Sequence, residues 1–372
     1  MTRAATMNVA FRADASLDIG IGHVMRCLTL ADALRERGAN CHFICREPPG
    51  HLTDLIRKRG FSVHALSYCK PLERPKDEIA ASQPAHVHWL GSDWQTDARQ
   101  TGAILAELQP DWLVVDHYAL DARWERAMKG DYKKLLVIDD LADRVHECDI
   151  LLDQNWFGDA TPNRYREYVP ENCVLLLGPC YALLKSEYAL LRSLMPPRDG
   201  IVKRILVFMG GSDPTNETGK VMDALAHPDL GHLVVDVVIG VNHPDPEGVA
   251  KQISKRPDTH LYGSQASLAG WMVRADLMIS AGGYTSWERM CLGLPAIVIS
   301  IADNQTSTNN SMSESGYIDF LGEKEIVTSE IIVSSVRRCM DDPARLKKMS
   351  DMGQKLVQGN GLELVCRHLW TS

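Results

Sequence analysis

Short apolar segments alternate with amphipathic helical segments along most of the chain. Residues 9–11 form the first apolar segment, and after a polar loop a helix with apolar residues at helical spacing begins at about Val24. Later segments such as 112–116 and 134–138 are apolar throughout their interior. Strands of this kind are typical of a parallel sheet that helices cover on both faces. The pattern therefore predicts an α/β protein with doubly wound, Rossmann-like sheets.

The pattern runs twice, and a proline-rich segment separates the two runs. Residues 193–200 contain two adjacent prolines followed by Arg-Asp-Gly, which is typical of a domain boundary. A chain of 372 residues is also long enough for two domains. We predict a Rossmann-like domain at 1–195, a second one at 200–350, and a C-terminal helix at 351–372 that packs back on the first domain. A ligand cleft is expected between the two halves.

Two regions do not fit the alternation. Residues 67–92 contain three prolines, and we predict a long irregular insertion there without assigning its structure. Residues 1–6 are expected to be a disordered leader before the first strand.

Composition argues against several classes of partner. The net charge is −8, which gives no support for a basic surface of the kind that binds nucleic acid. No segment has the length and apolarity of a signal peptide or a membrane span. The ten cysteines are scattered and include no C-x-x-C pair, which favours free thiols in a reducing compartment. We expect a cytoplasmic monomer that neither binds nucleic acid nor inserts into a membrane.

The polar loop after the first strand is a candidate for catalysis. It contains Arg12, Asp14, Gly20, Gly22 and His23, and a helix begins directly after them. Glycine lets the backbone turn tightly and approach a ligand, and the first N–H groups of a helix attract phosphate. A histidine at this point can move a proton near neutral pH. A plain turn whose histidine caps the helix or faces water would also explain the pattern.

Polar side chains also follow later strands of the first half. His117 and Tyr118 come after one strand, and Asp139 and Asp140 come after the next. Ligands of open parallel sheets lie outside the carboxyl ends of the strands, so we expect these loops to converge on one site. Asp139 and Asp140 could also bind Mg²⁺, and this alternative stays open. Solvated carboxylates are the preferred interpretation, and we expect activity that needs no metal.

The clearest signal of the second half lies between residues 280 and 288. A strand ends in a pair of glycines that includes Gly283, and Thr285 and Ser286 follow where a helix begins. Their hydroxyls and the first N–H groups of the helix predict a cradle for a diphosphate. Glu288, one turn into the helix, is placed to accept hydrogen bonds from ribose hydroxyls. A tight turn with a capping threonine is the simpler alternative.

Two further loops of the second half are candidates for ligand binding. Gly210, Gly211 and Ser212 follow its first strand, and Asn304 and Gln305 follow a later one. No loop matches the phosphate-loop motif with its lysine or the G-x-G-x-x-G dinucleotide fingerprint. The sequence therefore argues against an ATPase and against a simple NAD enzyme, and it implies no cofactor.

Together these motifs resemble a known architecture. Two doubly wound halves, the second with a Gly-Gly-x-Thr/Ser-x-x-Glu loop, are similar to the glycosyltransferase-B fold. More narrowly, the chain resembles the UDP-2,4-diacetamido-2,4,6-trideoxy-β-L-altropyranose hydrolase family of pseudaminic (nonulosonic) acid biosynthesis. The motifs that carry this resemblance are Arg12-Ala-Asp-Ala-Ser, Gly20-Ile-Gly-His23, Asp116-His117-Tyr118, Ile138-Asp-Asp140, Gly210-Gly-Ser-Asp-Pro214, Gly282–Glu288 and Asp303-Asn-Gln305.

The resemblance implies a reaction and a role for several residues. Water would replace UDP at the anomeric carbon, which releases UDP and the free sugar with inversion. His23 would be the general base, and Tyr118 would orient the sugar or the water. The second half would hold the UDP, with Glu288 on the ribose and Asn304 near the sugar or the phosphates.

Two other functions fit the same sequence. A glycosyltransferase of the same fold would use the same UDP site and pass the sugar to an acceptor. A non-catalytic nucleotide-sugar binding protein would bind the same ligand, but it would leave the loop at His23 without a task. Release of UDP in the absence of an acceptor would separate hydrolysis from both alternatives.

Overall fold

Thirteen strands form two separate parallel sheets in the computed structural model, which describes residues 6–68 and 84–371. The sheets belong to two units of the chain. Unit 1 consists of Met1–Asn155, Ala160–Leu183 and Leu362–Ser372, and unit 2 consists of Trp156–Asp159 and Leu184–Gly361.

Unit 1 contains a seven-stranded sheet. Its strands are β1 (Asn8–Ala13), β2 (Asn40–Arg46), β3 (Ser62–Leu66), β4 (Trp112–Asp116), β5 (Lys134–Ile138), β6 (Ile150–Asp153) and β7 (Val174–Leu177). Its first helices are α1 (Gly22–Glu36), α2 (Thr53–Lys58), α3 (Trp94–Leu108) and α4 (Ala122–Ala127). The strand order is β3-β2-β1-β4-β5-β6-β7. Because the order reverses at the β1–β4 pair, the loops after these two strands lie at the point of the sheet where ligands are usually bound.

Unit 2 contains a six-stranded sheet with a similar topology. Its strands are β8 (Arg204–Phe208), β9 (Val234–Val238), β10 (Thr259–Tyr262), β11 (Leu277–Ala281), β12 (Ala296–Ser300) and β13 (Asp319–Glu323). Its helices are α5 (Ser186–Leu194), α6 (Glu217–Leu225), α7 (Pro246–Ile253), α8 (Ala269–Arg274), α9 (Thr285–Cys291), α10 (Asp303–Glu314), α11 (Ser329–Asp341) and α12 (Pro343–Leu356). The order is β10-β9-β8-β11-β12-β13, so the switch point lies between β8 and β11.

The predicted fold class, two doubly wound Rossmann-like sheets, is confirmed, but the limits of the units differ from the sequence prediction. Helix α5 falls within the predicted domain 1–195, yet it belongs to unit 2 because it packs against α8 and α9. The proline-rich segment 193–200 therefore follows the first helix of unit 2. The last helix, α13 (Gly361–Thr371), lies in unit 1 apart from its first residue, and the carbonyl of Leu369 accepts a hydrogen bond from Trp112 Nε1 at 2.9 Å.

Apolar side chains cover both faces of the unit 1 sheet. Alternate residues of β1 face opposite cores: Phe11 stacks on Phe43 with ring centroids 4.9 Å apart, whereas Ala10 packs on the other face with Ile44. This burial on both faces explains why the strands read as continuous apolar segments. Within the described part of the chain, no helix has the length and apolarity needed to span a membrane.

A buried ion network holds the carboxyl end of β1. The Arg12 guanidinium lies 2.7 Å from both Asp14 and Asp97, and Arg46 on β2 lies 2.6 Å from Asp97. Trp124 Nε1 also donates to Asp97, at 2.9 Å. Burial raises the pKa of Asp97, but the two guanidinium groups outweigh burial and hold the pKa below its usual range. The network thus joins β1 and β2 to α3 and α4, and it fixes the direction in which the chain leaves β1.

Replacing Asp97 by Ala should destabilise unit 1 strongly. The change leaves the guanidinium groups of Arg12 and Arg46 buried without their shared carboxylate, which should cost about 3–5 kcal/mol of unfolding free energy. Urea unfolding measures this loss. Asp54→Ala is the control, because the Asp54 side chain is 80% exposed beside Arg57 and its loss should change the midpoint little. Equal unfolding midpoints for the two variants would contradict the structural role of the network.

Candidate active site

His23 lies on the first turn of α1 and contacts the carboxylate that ends β4. Its Nδ1 is 2.5 Å from Asp116 Oδ1. The His23 residue is 7% exposed and Asp116 is fully buried. Strands β1 and β4 are hydrogen-bonded neighbours, so the loop after β1 brings the histidine back to the end of β4. The structure therefore pairs an almost buried imidazole with a buried carboxylate at the carboxyl edge of the sheet.

Arg26 holds the same carboxylate from the other side. Its Nε lies 2.6 Å from Asp116 Oδ2, and its Nη2 lies 2.7 Å from Oδ1. Burial raises the pKa of Asp116, but Arg26 and His23 together hold the pKa below its usual range. An ionised Asp116 accepts hydrogen bonds only, so His23 carries its proton on Nδ1. No hydrogen bond joins Nε2 to the described residues, which leaves its lone pair available to take a proton.

A second carboxylate extends the network to the loop after β5. Asp140 accepts hydrogen bonds from Arg26 Nη1 at 2.7 Å, from Asn155 Nδ2 at 3.0 Å and from the Tyr118 hydroxyl. Burial and the charge of Asp140 raise the pKa of Tyr118 well above its ordinary value, so the hydroxyl keeps its proton. The Tyr118 ring meets His23 edge to face with centroids 4.5 Å apart. Tyr118 thus packs against the histidine, while its hydroxyl is bound to Asp140.

Arg12 and Asp14, which the sequence analysis assigned to substrate binding, are buried in this structure. Arg12 is 0% exposed and Asp14 is 1% exposed. Asp14 also accepts a hydrogen bond from the Arg46 backbone N–H at 2.7 Å and lies 3.3 Å from His117 Nε2. The charges of Arg12 and Asp14 are therefore paired inside the buried ion network, and Asp14 also binds the backbone at the end of β2. Their assignment to substrate binding stays a prediction.

The loop between β1 and α1 is a tight turn with an open helix end. Gly20 has φ of +79°, in the left-handed region that favours glycine, and its N–H donates to the Ser16 carbonyl at 2.9 Å. Gly22 begins α1, and nothing lies within 4 Å of the Cβ that another residue would place there. No side chain of the described residues caps α1, so its first N–H groups remain available to an anion.

Asp139 and Asp140 do not form a pair that faces solvent. Asp139 is fully buried, where it lies 2.7 Å from Arg144 and accepts the Tyr165 hydroxyl at 2.9 Å. Asp140 is bound to Arg26 as described above. The expectation of two solvated carboxylates is therefore wrong, because the two side chains point into different networks.

In unit 2, β11 leads through two glycines into α9. A Cβ at Gly282 would lie 1.9 Å from Asn309 Nδ2, so glycine at this position leaves room for the Asn309 side chain of α10. The N–H of Ser286 donates to the Gly283 carbonyl at 2.9 Å, which closes the turn. Thr285 is the first residue of α9, and no described side chain caps the helix. The structure thus contains the tight turn that the sequence left open as an alternative, with the Thr285 and Ser286 side chains at the helix start.

Glu288 lies one turn into α9 and has a perturbed carboxyl group. Burial raises the pKa of Glu288 to about 7, although the Tyr188 hydroxyl and the Lys185 ammonium lower it. Tyr188 lies on α5, so two helices of unit 2 surround the carboxylate. Glu288 is partly buried, and carboxyl groups whose pKa is perturbed in this way cluster at functional sites.

The loop after β8 lies next to the loop after β11, because these strands are neighbours. Gly210 has φ of +103°. A Cβ at Gly240 would lie 1.8 Å from the Gly211 carbonyl oxygen, so the two backbone segments touch. Ser212 is partly buried, and Asp213 caps α6 by accepting the Glu217 N–H at 2.9 Å. This loop is held by backbone contacts and by a helix cap.

The loop after β12 is the third at this edge of unit 2. Gln305 Oε1 accepts a hydrogen bond from the Ile301 N–H at 3.2 Å, which ties the start of α10 to the end of the strand. The side chain of Asn304 lies outside the described part of the structure. The structure therefore brings the glycine loops, Glu288 and Gln305 to the carboxyl ends of adjacent strands in unit 2.

Sequence reasoning missed three parts of the site in unit 1. It assigned no role of its own to Asp116, the partner of His23. Arg26 lies one helical turn after His23, and this spacing places both residues on one face of α1, which was a usable signal. Trp89 and His86 fall in the region that the sequence left unassigned, of which residues 69–83 lie outside the described residues. The described remainder contains a short 3₁₀ helix at Val87–Leu90, and the Trp89 ring lies beside Tyr118.

Comparison with known proteins finds relatives over nearly the full length. No family model matches the chain. The chain is 27% identical over 367 residues to the spore coat polysaccharide biosynthesis protein SpsG of Bacillus subtilis, and the match covers 96% of each chain. It is 24% identical over 314 residues to the UDP-2,4-diacetamido-2,4,6-trideoxy-β-L-altropyranose hydrolase of Campylobacter jejuni, which covers 84% of this chain and 98% of that protein.

Solved structures share the architecture at low sequence identity. The crystal structure of Acinetobacter baumannii MurG matches with a TM-score of 0.67 and 14% identity, over 98% of this chain and 100% of that chain. Because the sequence identity is this low, the match shows similarity of fold alone. Together with the two parallel sheets described above, it shows that the chain has the glycosyltransferase-B fold.

Proposed function

We propose that this chain is an enzyme that hydrolyses a UDP-linked diacetamido-trideoxy hexose at the anomeric carbon, in pseudaminic acid biosynthesis. The observation that carries the proposal is the contact between His23 Nδ1 and Asp116 Oδ1 at 2.5 Å, which leaves Nε2 as a free base. The similarity to a hydrolase of this substrate supports the choice of reaction. The cysteines of the described residues are free thiols, which supports a cytoplasmic location.

The pair of His23 and Asp116, called the dyad below, suits the activation of a water molecule. Nε2 of His23 takes a proton from water as the water oxygen bonds to C1 of the sugar, and Asp116 stabilises the positive charge that forms on the ring. The bond between C1 and the UDP oxygen breaks at the same time, and its electron pair leaves with UDP. A single displacement of this kind inverts the configuration at C1. The open N-terminus of α1 is placed to stabilise negative charge near His23.

The two units have different tasks in this proposal. Unit 2 binds UDP at the loops after β8, β11 and β12, where Glu288 accepts hydrogen bonds from the ribose hydroxyls. The glycines of these loops allow the backbone to approach the diphosphate. Unit 1 supplies His23, and the ring of Tyr118 keeps the histidine in place.

A glycosyltransferase is the second candidate. The same dyad can deprotonate an acceptor hydroxyl instead of water, because both nucleophiles need a base near neutral pH. The fold supports this candidate equally, since it is the glycosyltransferase-B fold. Incubation with UDP-sugars and no acceptor separates the two: hydrolysis releases UDP and the free sugar, whereas a transferase releases neither at a comparable rate.

His23→Ala should remove turnover and leave binding almost intact. Loss of a general base typically costs about 10²–10⁴ in kcat, and the affinity for the UDP-sugar should change little. Asp116→Asn should also lower kcat, because an amide no longer stabilises the charged imidazole. His227→Ala is the control, since this histidine is partly exposed in unit 2. Near-full activity of His23→Ala in a steady-state assay would show that another group is the base.

UDP affinity should depend on pH through Glu288. With a pKa of about 7, Glu288 becomes protonated below that pH and no longer accepts from both ribose hydroxyls. Affinity should therefore fall as the pH drops below 7, by up to roughly tenfold per unit, and level off above it. Glu288→Gln should lose this dependence and bind UDP more weakly at pH 8, by roughly 1.5–3 kcal/mol.

Titration calorimetry between pH 5.5 and 8.5 measures both effects. UDP itself titrates in this range, so the informative quantity is the difference between the wild-type curve and the Glu288→Gln curve. Glu247→Gln on α7 serves as the matched control, because this side chain is exposed. Parallel curves for wild type and Glu288→Gln would place the ribose elsewhere.

A further inference from the structure

An aromatic surface lies beside the dyad of unit 1, and two of its three rings have no task in the mechanism above. It consists of His86, Trp89 and Tyr118. The Trp89 and Tyr118 rings stack with their centroids 5.7 Å apart and an angle of 26° between their planes. The centroid of the His86 ring lies 4.2 Å from that of Trp89. Trp89 and His86 are both partly exposed. His86 and Trp89 lie in the segment 84–90, which is part of the region whose structure was not predicted from the sequence.

The arrangement of the three rings leaves the indole open on one side. The His86 and Tyr118 centroids are only 5.6 Å apart, so the three centroids form a triangle. If His86 and Tyr118 lay on opposite faces of Trp89, the indole would hold their centroids much farther apart than this. His86 and Tyr118 therefore do not cover opposite faces of Trp89. Together with its partial exposure, this leaves part of the indole available to a ligand.

The surface lies within reach of a sugar that the dyad attacks. The Trp89 centroid is 6.4 Å from the His23 centroid. A water molecule held by His23 Nε2 places the reacting carbon about 3 Å beyond that water. A pyranose ring attached to this carbon then spans the distance to Trp89. The histidine and the indole can thus contact the same sugar.

The chemistry of the surface selects the part of the sugar that it contacts. Aromatic faces pack favourably against C–H groups and gain most where a hydroxyl is replaced by a methyl group or an acyl group. Burial and the neighbouring His88 lower the pKa of His86, so this ring is uncharged near neutral pH. Asp143 and Arg144, of the loop after β5, also act on His86 with opposite signs: the Asp143 charge raises its pKa and the Arg144 charge lowers it.

We infer that Trp89, supported by His86, is a stacking residue that binds the apolar face of the sugar and favours acylated or deoxygenated sugars. The inference rests on the proposed function for the identity of the ligand as a UDP-sugar. It adds a residue that determines specificity, separate from the base and from the nucleotide site.

Binding of UDP and of UDP-N-acetylglucosamine to the full chain tests this inference. In Trp89→Ala the affinity for UDP-N-acetylglucosamine should fall about three- to tenfold, whereas the affinity for UDP alone should not change. Trp89→Leu removes the ring but keeps much of its volume, and it should behave like Trp89→Ala. Trp89→Phe keeps an aromatic face and should stay close to wild type. Trp370→Ala is the matched control, since Trp370 is 41% exposed on α13.

Unchanged sugar-nucleotide affinity in both Trp89→Ala and Trp89→Leu would overturn the inference, and so would the absence of UDP-N-acetylglucosamine binding to the wild type. An equal loss of affinity for UDP and UDP-N-acetylglucosamine would also overturn it, because that result would place Trp89 on the nucleotide. The measurement does not depend on turnover. A chain that binds as expected but releases no UDP would refute the proposed hydrolysis and leave the stacking residue supported.

Discussion

Asp116 carries a negative charge at a point of unit 1 that water does not reach, and the surrounding residues compensate the cost of burying it. A buried carboxylate is stable only when opposite charge and hydrogen-bond donors replace the lost solvent. Arg26 supplies two donors within 2.7 Å, and His23 supplies a third at 2.5 Å. The contacts that stabilise the carboxylate also orient the imidazole and set its tautomer. Under the proposed function, stability and proton transfer in this unit therefore depend on the same interaction.

The two units prepare their loops by different physical means. In unit 1, charge links the loops: Arg26 joins the end of β4 to Asp140 after β5, and Asp140 holds Tyr118 against His23. In unit 2, glycines bring the loops together. At Gly282 and Gly240, neighbouring side-chain or backbone atoms lie where a Cβ would collide with them. The charge network of unit 1 suits proton transfer, which needs a fixed and polarised group. The glycine loops of unit 2 suit the binding of a phosphate, which needs access to backbone N–H groups.

The sequence predicted strands that are buried on both faces, and β4 and β5 have the predicted limits. It missed β13, in part because Asp319 begins that strand and is stabilised by Arg338 and Arg345 from later helices. His23 could be identified from its place before a helix, but its partner Asp116 is 93 residues away in the chain. The burial of Arg12 could not be foreseen for the same reason, because Asp97 is 85 residues distant. The local sequence pattern predicts which loops lie at the edge of the sheet, but only the folded structure shows which charged side chains form pairs there.

In the proposed reaction, water attacks the sugar carbon and UDP leaves intact. Turnover of the UDP-linked diacetamido-trideoxy hexose in ¹⁸O-labelled water, without an acceptor, tests it directly. The mass of the released UDP shows which bond breaks, because attack at carbon leaves both phosphates unlabelled. We predict unlabelled UDP, together with a free sugar whose first-formed anomer, read by NMR before it equilibrates, is inverted. Labelled UDP, or no release of UDP until an acceptor is added, would contradict the account.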